Sequence, residues 1–520
     1  MTQTTGRDPE RFRLPSLQVE DVGNTGAAAT PAGPADRLVA FLARPWVAEI
    51  LATVMAALVF SWQVNRPSPW WDEAITRDVT ARTSSEIIDL TSHVDLVHAS
   101  YYLLIHALLG GSASVTPIRL LSVLAAALTA GTLVRLGREL GSGRVGLLAG
   151  VLWTAAPLAT RYAQEARPYA MVALMATVAT LALVRVCRRP WLPLRWMIYL
   201  GALVILGLLN VIALLILVVH LSYVLATSSL VVRRRWYLAA GITLAALSPL
   251  LIYSSRQSAQ VAWLPRPDLH QLTAFLLAEY AGGFAVLAVL LIAIVGLSRG
   301  THSPSLGLGL SWALLPPVTL WLISQAHPLF ESRYVFFTVP GTALAMASLA
   351  PLFRARWLTA VVLVVAVSGL SMQQEYRGTS GHGEDIRAAA AAIAERAQPG
   401  DAVLFLPASR RVVERGYPDA FRGVDDVALD RSAEQSATLW GTEIPADQLA
   451  AALRKRNRVW VVTGAERFGE KDSADDADRE KERLLYNGYR LAGVTFTTMY
   501  EVRLYVHDPL PSVVASGTSS

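Results

Sequence analysis

Long runs of uncharged, apolar residues recur along most of this 520-residue chain, and they limit the folds that it can adopt. Several runs approach the roughly 20 residues that an α-helix needs to cross the hydrocarbon core of a bilayer. The charged fraction is 17%, below the roughly 25% of soluble domains. A soluble protein of this length would need a more polar surface, so the sequence predicts a polytopic α-helical membrane protein.

We predict about eleven transmembrane helices from these runs. The stretch 196–229 is too long for one helix, so we divide it near Leu209-Asn210. The predicted spans lie near residues 46–63, 117–136, 143–160, 168–187, 196–209, 211–229, 236–254, 272–297, 306–325, 334–351 and 356–372.

Clusters of arginine in short loops determine the predicted orientation of these helices. The clusters fall near residues 135–144, 185–195, 233–235 and 354–356. Because positively charged loops stay in the cytoplasm, we place all four inside. The N-terminus is then cytoplasmic, and the region after the last span is extracytoplasmic. The net charge of +6 thus reflects membrane topology, and we expect no nucleic-acid partner.

This orientation leaves a large first outer loop at residues 64–116. Inside this loop, residues 98–110 form an apolar stretch of 13 residues, which is short for a transmembrane helix. A span at this position would also move the arginine cluster at 135–144 to the outside. We therefore predict an interfacial or re-entrant helix.

The composition changes after the last span, where helical patterns alternate with short apolar runs. Helices that alternate with buried strands indicate a small α/β domain. This region contains no glycine-rich nucleotide-binding motif. The predicted organisation is a disordered cytoplasmic tail, a transmembrane region, an extracytoplasmic α/β domain and a disordered C-terminal tail, at residues 1–45, 46–372, 373–510 and 511–520.

An acidic pair, Asp72-Glu73, follows the first span and lies on the predicted outer side. Ionisable groups at membrane boundaries are costly, and they are usually functional when they cluster. One carboxylate at this position can act as a general base toward an incoming hydroxyl, and the second could hold the acceptor or a metal. The alternative is an aromatic belt at Trp70-Trp71 with incidental acids.

Two arginines lie on the same predicted face, in Gln164-Glu165-Ala166-Arg167 and in Glu331-Ser332-Arg333-Tyr334. Their forked donors suit a phosphate at the bilayer surface. Arginines on the outer side are exceptions to the positive-inside rule. Their presence on that side favours an anionic partner there. The alternatives are a Glu–Arg pair that closes a tight loop and an arginine that snorkels from a helix end.

A third polar group consists of His93, Asp95 and His98, at the start of the short apolar stretch. These residue types can bind zinc, but their spacing matches no zinc motif, so we predict no metal site. We expect them to line a polar cavity or to cap the helix.

Together these elements resemble the GT-C superfamily of glycosyltransferases that use polyprenyl-phosphate sugars. The branch of the superfamily that the sequence resembles contains protein O-mannosyltransferases, lipid A aminoarabinose transferases and bacterial mannosyltransferase-like proteins. The resemblance covers residues 46–410. It rests first on Trp71-Asp72-Glu73 and on Arg333-Tyr334. Residues Asp95–Leu104 are similar to the family pattern D-x-H-P-P-L-Y-Y-L-L, with the histidine one position later. Residues Tyr162–Tyr169 are similar to the pattern Y-S-Q-E-A-R-x-Y.

The resemblance implies a GT-C-like fold and an inverting transfer of one sugar, mannose or arabinose, from a polyprenyl phosphate to an envelope glycan, lipid or protein. It implies that Asp72 is the catalytic base, with Glu73 beside it, and that Arg167 and Arg333 hold the donor phosphate. A divalent cation is left open as a cofactor. The residues expected to line the substrate cavity are Asp95, His98, Tyr102, Glu165 and Tyr334.

Two other classes of function fit a polytopic membrane protein. A transporter or flippase for a lipid-linked sugar would be expected to show internal repeats and polar residues near the bilayer midplane. The sequence shows no convincing repeat, and most charges lie at the ends of spans. A non-catalytic envelope scaffold would leave the outward carboxylates and arginines without a common purpose. The composition, rich in Ala, Leu and Arg, suggests an actinobacterial source.

Overall fold

The computed structural model describes residues 44–111, 114–257, 264–278, 303–464 and 476–507. The C-terminal tail predicted at 511–520 lies outside these residues. All of the N-terminal tail predicted at 1–45 also lies outside them, except its last two residues.

The apolar part of the chain is helical and follows the apolar runs of the sequence. In the described ranges its α-helices are α1 (Pro45–Ser61), α2 (Trp71–Ala81), α3 (Ser84–His93), α4 (Ala99–Leu109), α5 (Thr116–Leu140), α6 (Gly143–Ala155), α7 (Pro157–Ala163), α8 (Tyr169–Arg188), α9 (Pro193–Leu209), α10 (Ile216–Thr227), α11 (Leu230–Ser255), α12 (Leu269–Ala278), α13 (Pro304–Ser324), α14 (Val339–Ala347), α15 (Ala355–Ser368) and α16 (Leu370–Tyr376). Short 3-10 segments occur at Leu96–His98, Val211–Leu215, Ser332–Thr338 and Ala350–Leu352.

Five helical segments of the described chain are long and apolar enough to cross a bilayer. They are Thr116–Leu140, Tyr169–Arg188, Leu230–Ser255, Pro304–Ser324 and Ser332–Leu352. Two further helices, Arg356–Ser368 and Leu370–Tyr376, form a candidate span with a bend of 43°. Shorter apolar helices occupy other predicted spans, and the span at 272–297 is described only as far as Ala278. The protein is thus a polytopic membrane protein, and the count of eleven spans stays a prediction.

The long apolar run at 196–229 is divided where the sequence predicts a break. Helix α9 ends at Leu209. The side-chain oxygen of Asn210 then accepts a hydrogen bond of 2.9 Å from the backbone N–H of Ile212. This contact caps the following 3-10 segment, because a side-chain acceptor satisfies an N–H that has no partner inside the helix.

The short apolar stretch in the first outer loop forms helix α4. The helix has 11 residues and is about 16 Å long, roughly half the thickness of the hydrocarbon core. Tyr101 and Tyr102 are buried against the protein, whereas Leu104 and Leu108 are exposed. The helix is too short to cross the bilayer, and one of its apolar faces is exposed. Both features fit a helix that lies at the membrane interface.

Glycines allow the first helices of the bundle to pack closely. A Cβ atom at Gly146 in α6 would lie 2.2 Å from the carbonyl oxygen of Val134 in α5. A Cβ atom at Gly131 in α5 would lie 2.2 Å from Oγ1 of Thr53 in α1. Small residues at such crossings are typical of helix association in membranes. Helices α1, α5 and α6 are therefore in close contact at these glycines.

The C-terminal part contains a five-stranded sheet of order β2-β1-β5-β7-β6. Strands β1 and β2 are parallel, as are β1 and β5, whereas β7 runs antiparallel to both β5 and β6. A separate pair, β3 and β4, is antiparallel. The strands are β1 (Asp401–Leu406), β2 (Val424–Asp426), β3 (Leu429–Arg431), β4 (Thr442–Glu443), β5 (Arg458–Gly464), β6 (Tyr489–Phe496) and β7 (Tyr500–His507).

Helices cover both faces of this sheet. On one face, Ile386 and Ile393 of α17 (Ile386–Ala394) share a buried core with Phe405. The opposite face is covered by α19 (Ala446–Leu453) and α20 (Asp476–Gly488), and a short helix, α18 (Val412–Gly416), follows β1. Strand β1 is buried at every residue, as expected for a strand that is covered on both sides.

Helix α2 joins the helical bundle to the α/β part. Ala74 of α2 is buried in the same core as Ile386 and Trp460. The ring of Trp71 lies 5.0 Å from the ring of Trp440, at an interplanar angle of 63°. The described residues from Pro45 onward belong to one compact unit. The α/β part thus packs directly on the helix that carries the acidic pair, and the domain boundary near 373 stays a prediction.

Candidate active site

The acidic pair lies in the first turn of α2, directly after Trp70. Negative side chains are favourable at this position, because the N-terminus of a helix carries a partial positive charge. The backbone N–H of Trp71 donates a hydrogen bond of 3.0 Å to the carboxylate of Glu384. The hydroxyl of Tyr500 donates to the same oxygen at 2.9 Å. The C-terminal part therefore fixes the helix end that carries Asp72.

Asp72 lies between the two arginines that the sequence singled out. Its Oδ2 atom is 3.7 Å from Nη2 of Arg167 and 3.9 Å from Nη1 of Arg333. The side chain of Asp72 is 21% exposed, and that of Arg333 is 22% exposed. Three chain segments therefore bring one accessible carboxylate and two guanidinium groups together.

A chain of polar contacts holds Arg167 in place. Its Nη1 donates to Oγ1 of Thr76 at 3.2 Å and to the hydroxyl of Tyr102 at 3.4 Å. Its Nη2 lies 2.7 Å from Nε2 of His98, and Nδ1 of His98 lies 2.7 Å from Oδ1 of Asp95. A guanidinium can only donate, so Nε2 of His98 is the acceptor and Nδ1 carries the proton that it donates to Asp95.

Asp95 completes this chain from a left-handed backbone conformation. Its φ is +64°, which Asp and Asn tolerate better than most residues. Its carboxylate also accepts a hydrogen bond from the hydroxyl of Tyr102. Burial raises the pKa of Asp95, but His98, Arg167 and Tyr102 outweigh it and hold the pKa well below its usual range. Asp95 is therefore an anion that orients His98 and, through it, Arg167.

Glu73 points away from Asp72 and into the bundle. Its side chain is 0% exposed and forms an ion pair of 2.6 Å with Nη2 of Arg119. It also accepts from the backbone N–H of Ala166 at 2.7 Å and lies 3.2 Å from Nδ1 of His382. Burial raises the pKa of Glu73, but Arg119 and His382 lower it below its usual range. These contacts favour a positioning role for Glu73 over the catalytic role predicted from the sequence.

Glu165 is buried but lacks hydrogen bonds. Its Oε2 lies 3.0 Å from Nη1 of Arg161, yet neither carboxylate oxygen has a hydrogen-bond partner among the described residues. Burial raises the pKa of Glu165 to about 7. The negative charges of Glu73 and Asp72 add to this increase, and the positive charge of Arg161 opposes it. In the same neighbourhood, Nε2 of His382 is also unpartnered within the described chain. Such groups usually bind water or a ligand.

A cavity of about 610 Å³ lies beside this cluster. His98, Tyr169 and Tyr334 line it near the charged groups, together with mostly apolar residues. These are Val97, Pro168, Leu209, Asn210, Val211, Ile212, Ser254, Ser255, Gln257, His327, Pro328 and Leu329. Pockets that combine an apolar wall with a few charged groups are typical of ligand sites.

The structure brings most of the predicted site residues together. Asp72, Arg167 and Arg333 meet at one point, His98 and Tyr334 line the cavity, and Asp95 and Tyr102 support Arg167. Glu165 lies in a buried pocket on the same loop as Arg167.

Sequence reasoning missed three residues that organise this cluster: Arg119, His382 and Glu384. Arg119 is a charge near the N-terminal end of α5, and an uncharged stretch separates it from the next charge, Arg135. An isolated charge of this kind in a membrane helix is a signal for function. His382 and Glu384 lie between the last apolar helix and α17, where no sequence pattern marks them.

The cluster does not fit a divalent cation. In the described part of the chain, no group of three or more His, Cys, Asp or Glu side chains is arranged to hold a metal. The carboxylate of Asp72 is flanked by two guanidinium groups, which would repel a cation.

Known proteins resemble this chain in sequence family and in fold. The family described as dolichyl-phosphate-mannose-protein mannosyltransferase matches residues 97–253. No curated protein matches the chain. The crystal structure of ArnT from Cupriavidus metallidurans in the apo state aligns at 13% identity with a TM-score of 0.58, covering 88% of this chain and 97% of ArnT.

The structure of the same ArnT bound to undecaprenyl phosphate aligns at 14% identity with a TM-score of 0.57, covering 89% of this chain and 98% of ArnT. The shared fold therefore extends over almost the whole of both proteins. The resemblance to the GT-C superfamily seen in the sequence motifs is therefore confirmed by the family match over residues 97–253 and by the shared fold.

Proposed function

We propose that this protein transfers one sugar from a polyprenyl-phosphate donor to a hydroxyl of a cell-envelope acceptor, on the extracytoplasmic side of the membrane. The sugar is mannose or arabinose, and the acceptor is a glycan, a lipid or a protein. In this assignment the N-terminus is cytoplasmic and the α/β part is extracytoplasmic, because the arginine clusters at the opposite helix ends stay inside.

The observation that carries this proposal is the position of Asp72 between Arg167 and Arg333, beside a largely apolar cavity. Two guanidinium groups flank the accessible carboxylate of Asp72, and their forked donors suit a phosphodiester anion. The apolar wall of the cavity suits the first isoprene units of a lipid. A ligand with both parts is the one crystallised with ArnT, undecaprenyl phosphate.

The proposed reaction is a single displacement at the anomeric carbon. Asp72 accepts the proton of the acceptor hydroxyl as its oxygen forms a bond to that carbon. The bond between the anomeric carbon and the phosphate oxygen breaks, and its electron pair stays on the lipid phosphate. Attack opposite the leaving group inverts the configuration. Arg167 and Arg333 stabilise the charge that develops on the leaving phosphate.

The surrounding groups prepare the site for this step. Asp95 and His98 hold the guanidinium of Arg167, so less reorganisation is needed when the phosphate arrives. Glu73 and Glu384 fix the helix end that carries Asp72. The charged groups are thus arranged before the donor binds, as expected for electrostatic catalysis.

A transfer assay with purified protein tests the proposal. Radiolabelled polyprenyl-phospho-mannose and polyprenyl-phospho-arabinose are supplied in parallel, with an envelope extract as acceptor. Wild-type protein should move label to the acceptor, and Asp72→Asn should not. Asp89→Asn is a matched control, because Asp89 is an exposed carboxylate on neighbouring α3, and it should leave transfer unchanged. Normal turnover by Asp72→Asn would contradict the assignment of the base.

The same preparation separates transfer from transport. Protein reconstituted in vesicles with labelled donor in one leaflet should produce labelled acceptor. If the donor instead changes leaflet without any transfer of its sugar, the protein is a flippase and the proposal fails.

A further inference from the structure

A second charged cavity lies at the end of helix α8 that is remote from Asp72. It has a volume of about 720 Å³. Helix α8 begins at Tyr169, beside the candidate active site, and ends at Arg188, which lines this second cavity. Its 20 residues give a length of about 30 Å, the thickness of the hydrocarbon core. The second cavity therefore lies at the level of the opposite leaflet, and the phosphate of a donor bound at Arg167 cannot reach it.

Positive charge dominates the lining of this cavity. Five arginines and a single carboxylate, Glu139, line it, an excess of four positive charges. The arginines are Arg135, Arg185, Arg188, Arg189 and Arg195. Nearby Glu49 contacts Arg135 at 3.3 Å as well as Arg138 at 2.7 Å, and counting Glu49 together with Arg138 leaves the excess unchanged. Among the described residues, the guanidinium groups around the cavity therefore outnumber the carboxylates.

Glu139 holds several of these arginines in a converging arrangement. Its Oε1 accepts from Nε of Arg135 at 2.8 Å and from Nη2 of Arg185 at 2.8 Å. Its Oε2 lies 3.7 Å from Nη1 of Arg188. The side chains of Arg185 and Arg188 are nevertheless 37% and 52% exposed. Guanidinium donors therefore remain accessible, in the forked geometry that suits a phosphate.

An apolar groove continues from this cavity along the membrane-spanning helices. The groove has a volume of about 430 Å³ and shares Arg135, Leu181 and Arg185 with the charged cavity. Ile50 and Val54 of α1 line the groove and are exposed. A free anion would need no such groove, whereas a lipid needs both a head-group site and a channel for its chain.

We infer that the arginine cavity binds the phosphate head group of an anionic phospholipid in the leaflet opposite Asp72, with one acyl chain in the groove between α1, α5 and α8. The site is distinct from the donor site and does not depend on the proposed transfer reaction. Basic pockets between transmembrane helices are suited to anionic head groups. A bound lipid would stabilise the native bundle, because it binds the folded protein and not the unfolded chain.

Binding of defined lipids to the full-length protein in neutral detergent tests this inference. Dioleoyl phosphatidylglycerol is the probe, dioleoyl phosphatidylcholine is the zwitterionic comparison, and inorganic phosphate is the soluble anion. Affinity is measured by native mass spectrometry, and the thermal midpoint provides a second readout. We expect phosphatidylglycerol to bind most tightly and to raise the midpoint. Equal binding of phosphatidylcholine, or an equal shift with inorganic phosphate, would overturn the proposal.

Two matched pairs of variants locate the binding. R188Q/R189Q removes two exposed arginines of the cavity, and R354Q/R356Q removes two exposed arginines outside it. The first pair should weaken phosphatidylglycerol binding about thirtyfold, since each basic residue near an anionic lipid contributes about a factor of five. The second pair should leave it unchanged, and an equal loss in both would show binding by general charge alone. R188K/R189K keeps the charge without the fork and should bind with intermediate affinity.

Discussion

Glu73 and Arg119 form a two-point ion pair inside the helical bundle, with Oε2 2.6 Å from Nη2 and Oε1 2.7 Å from Nε. Arg119 also donates to the carbonyl oxygens of Val64 and Pro67 at 2.9 Å each. The pair therefore joins α2 and α5 to the segment between α1 and α2. Asp72 lies next to Glu73 in the chain, so the geometry of the candidate base depends on this buried contact.

Glu73→Gln should lower the free energy of unfolding by about 3–5 kcal/mol, because it leaves the buried Arg119 without its counter-ion. Activity should fall together with the fraction of folded protein. The measurement is the thermal midpoint in detergent, with transfer normalised to folded protein. Glu375→Gln, at an exposed site, is the control and should change neither quantity. Wild-type stability with lost activity would instead make Glu73 a direct participant in the reaction.

Glu165 should make the protein less stable as the pH rises. Burial and the neighbouring acids raise its folded-state pKa to about 7, above the value of about 4.3 in an unfolded chain. The stability associated with the protonated carboxyl of Glu165 is therefore fully present below about pH 4.3, and it is lost as the pH rises through 7. Glu165→Gln should raise the free energy of unfolding by about 1–3 kcal/mol at pH 8 relative to wild type.

Thermal midpoints of wild type and Glu165→Gln between pH 5 and pH 8 check this prediction. The wild-type midpoint should fall across this range by more than that of the variant. Parallel curves for the two proteins would show that Glu165 is ionised throughout and that Arg161 compensates for its burial. Asp419→Asn, at a carboxylate that is 82% exposed, controls for the loss of an acidic group.

Arg333→Ala should mainly weaken donor binding. One charged hydrogen-bond donor to a phosphate contributes about 1.5–3 kcal/mol, so the donor KM should rise about 10- to 100-fold. Arg333→Lys should restore part of the affinity, because it keeps the charge but loses the fork. Donor titrations in the transfer assay measure this effect, with the exposed Arg422→Ala as control. An unchanged donor KM would contradict a role of Arg333 in binding the donor before the reaction, and a reduced kcat alone would confine its contact to the transition state.

The sequence predicts the members of the charged cluster better than their roles. Asp72 and Glu73 are neighbours in the chain, and both were expected to act in catalysis. Successive residues of a helix point about 100° apart. Asp72 therefore faces Arg167 and Arg333, whereas Glu73 faces the bundle interior. An acidic dipeptide alone cannot show which of its members faces the solvent.

Contacts between distant segments explain what the sequence could not predict. Apolar periodicity predicts helices, and alternation of helical and strand patterns predicts an α/β part. Neither pattern reports that Glu384 reaches the N–H of Trp71 or that His382 reaches Glu73. Both residues lie in a connecting segment without regular structure, where hydrophobic periodicity carries no signal.

Glu384 should prove to be a positioning residue for Asp72. Its half-buried carboxylate, whose pKa is raised by desolvation, accepts hydrogen bonds from the N–H of Trp71 and the hydroxyl of Tyr500. Glu384→Ala removes the contact that holds the first turn of α2. A displacement of about 1 Å in such a turn can lower a rate by about 100-fold, so we expect kcat to fall about 10- to 100-fold.

The donor KM should stay near the wild-type value in Glu384→Ala, because Arg167 and Arg333 keep their own supports. Tyr500→Phe is the matched variant, since it removes one donor to Glu384 and leaves the Trp71 contact in place, and it should lower kcat far less. Glu395→Ala, at an exposed site directly after α17, should have no effect. Displacement of the base Asp72 slows the chemical step without weakening the contacts to the phosphate. A rise in the donor KM at constant kcat would therefore mean that Glu384 supports donor binding instead.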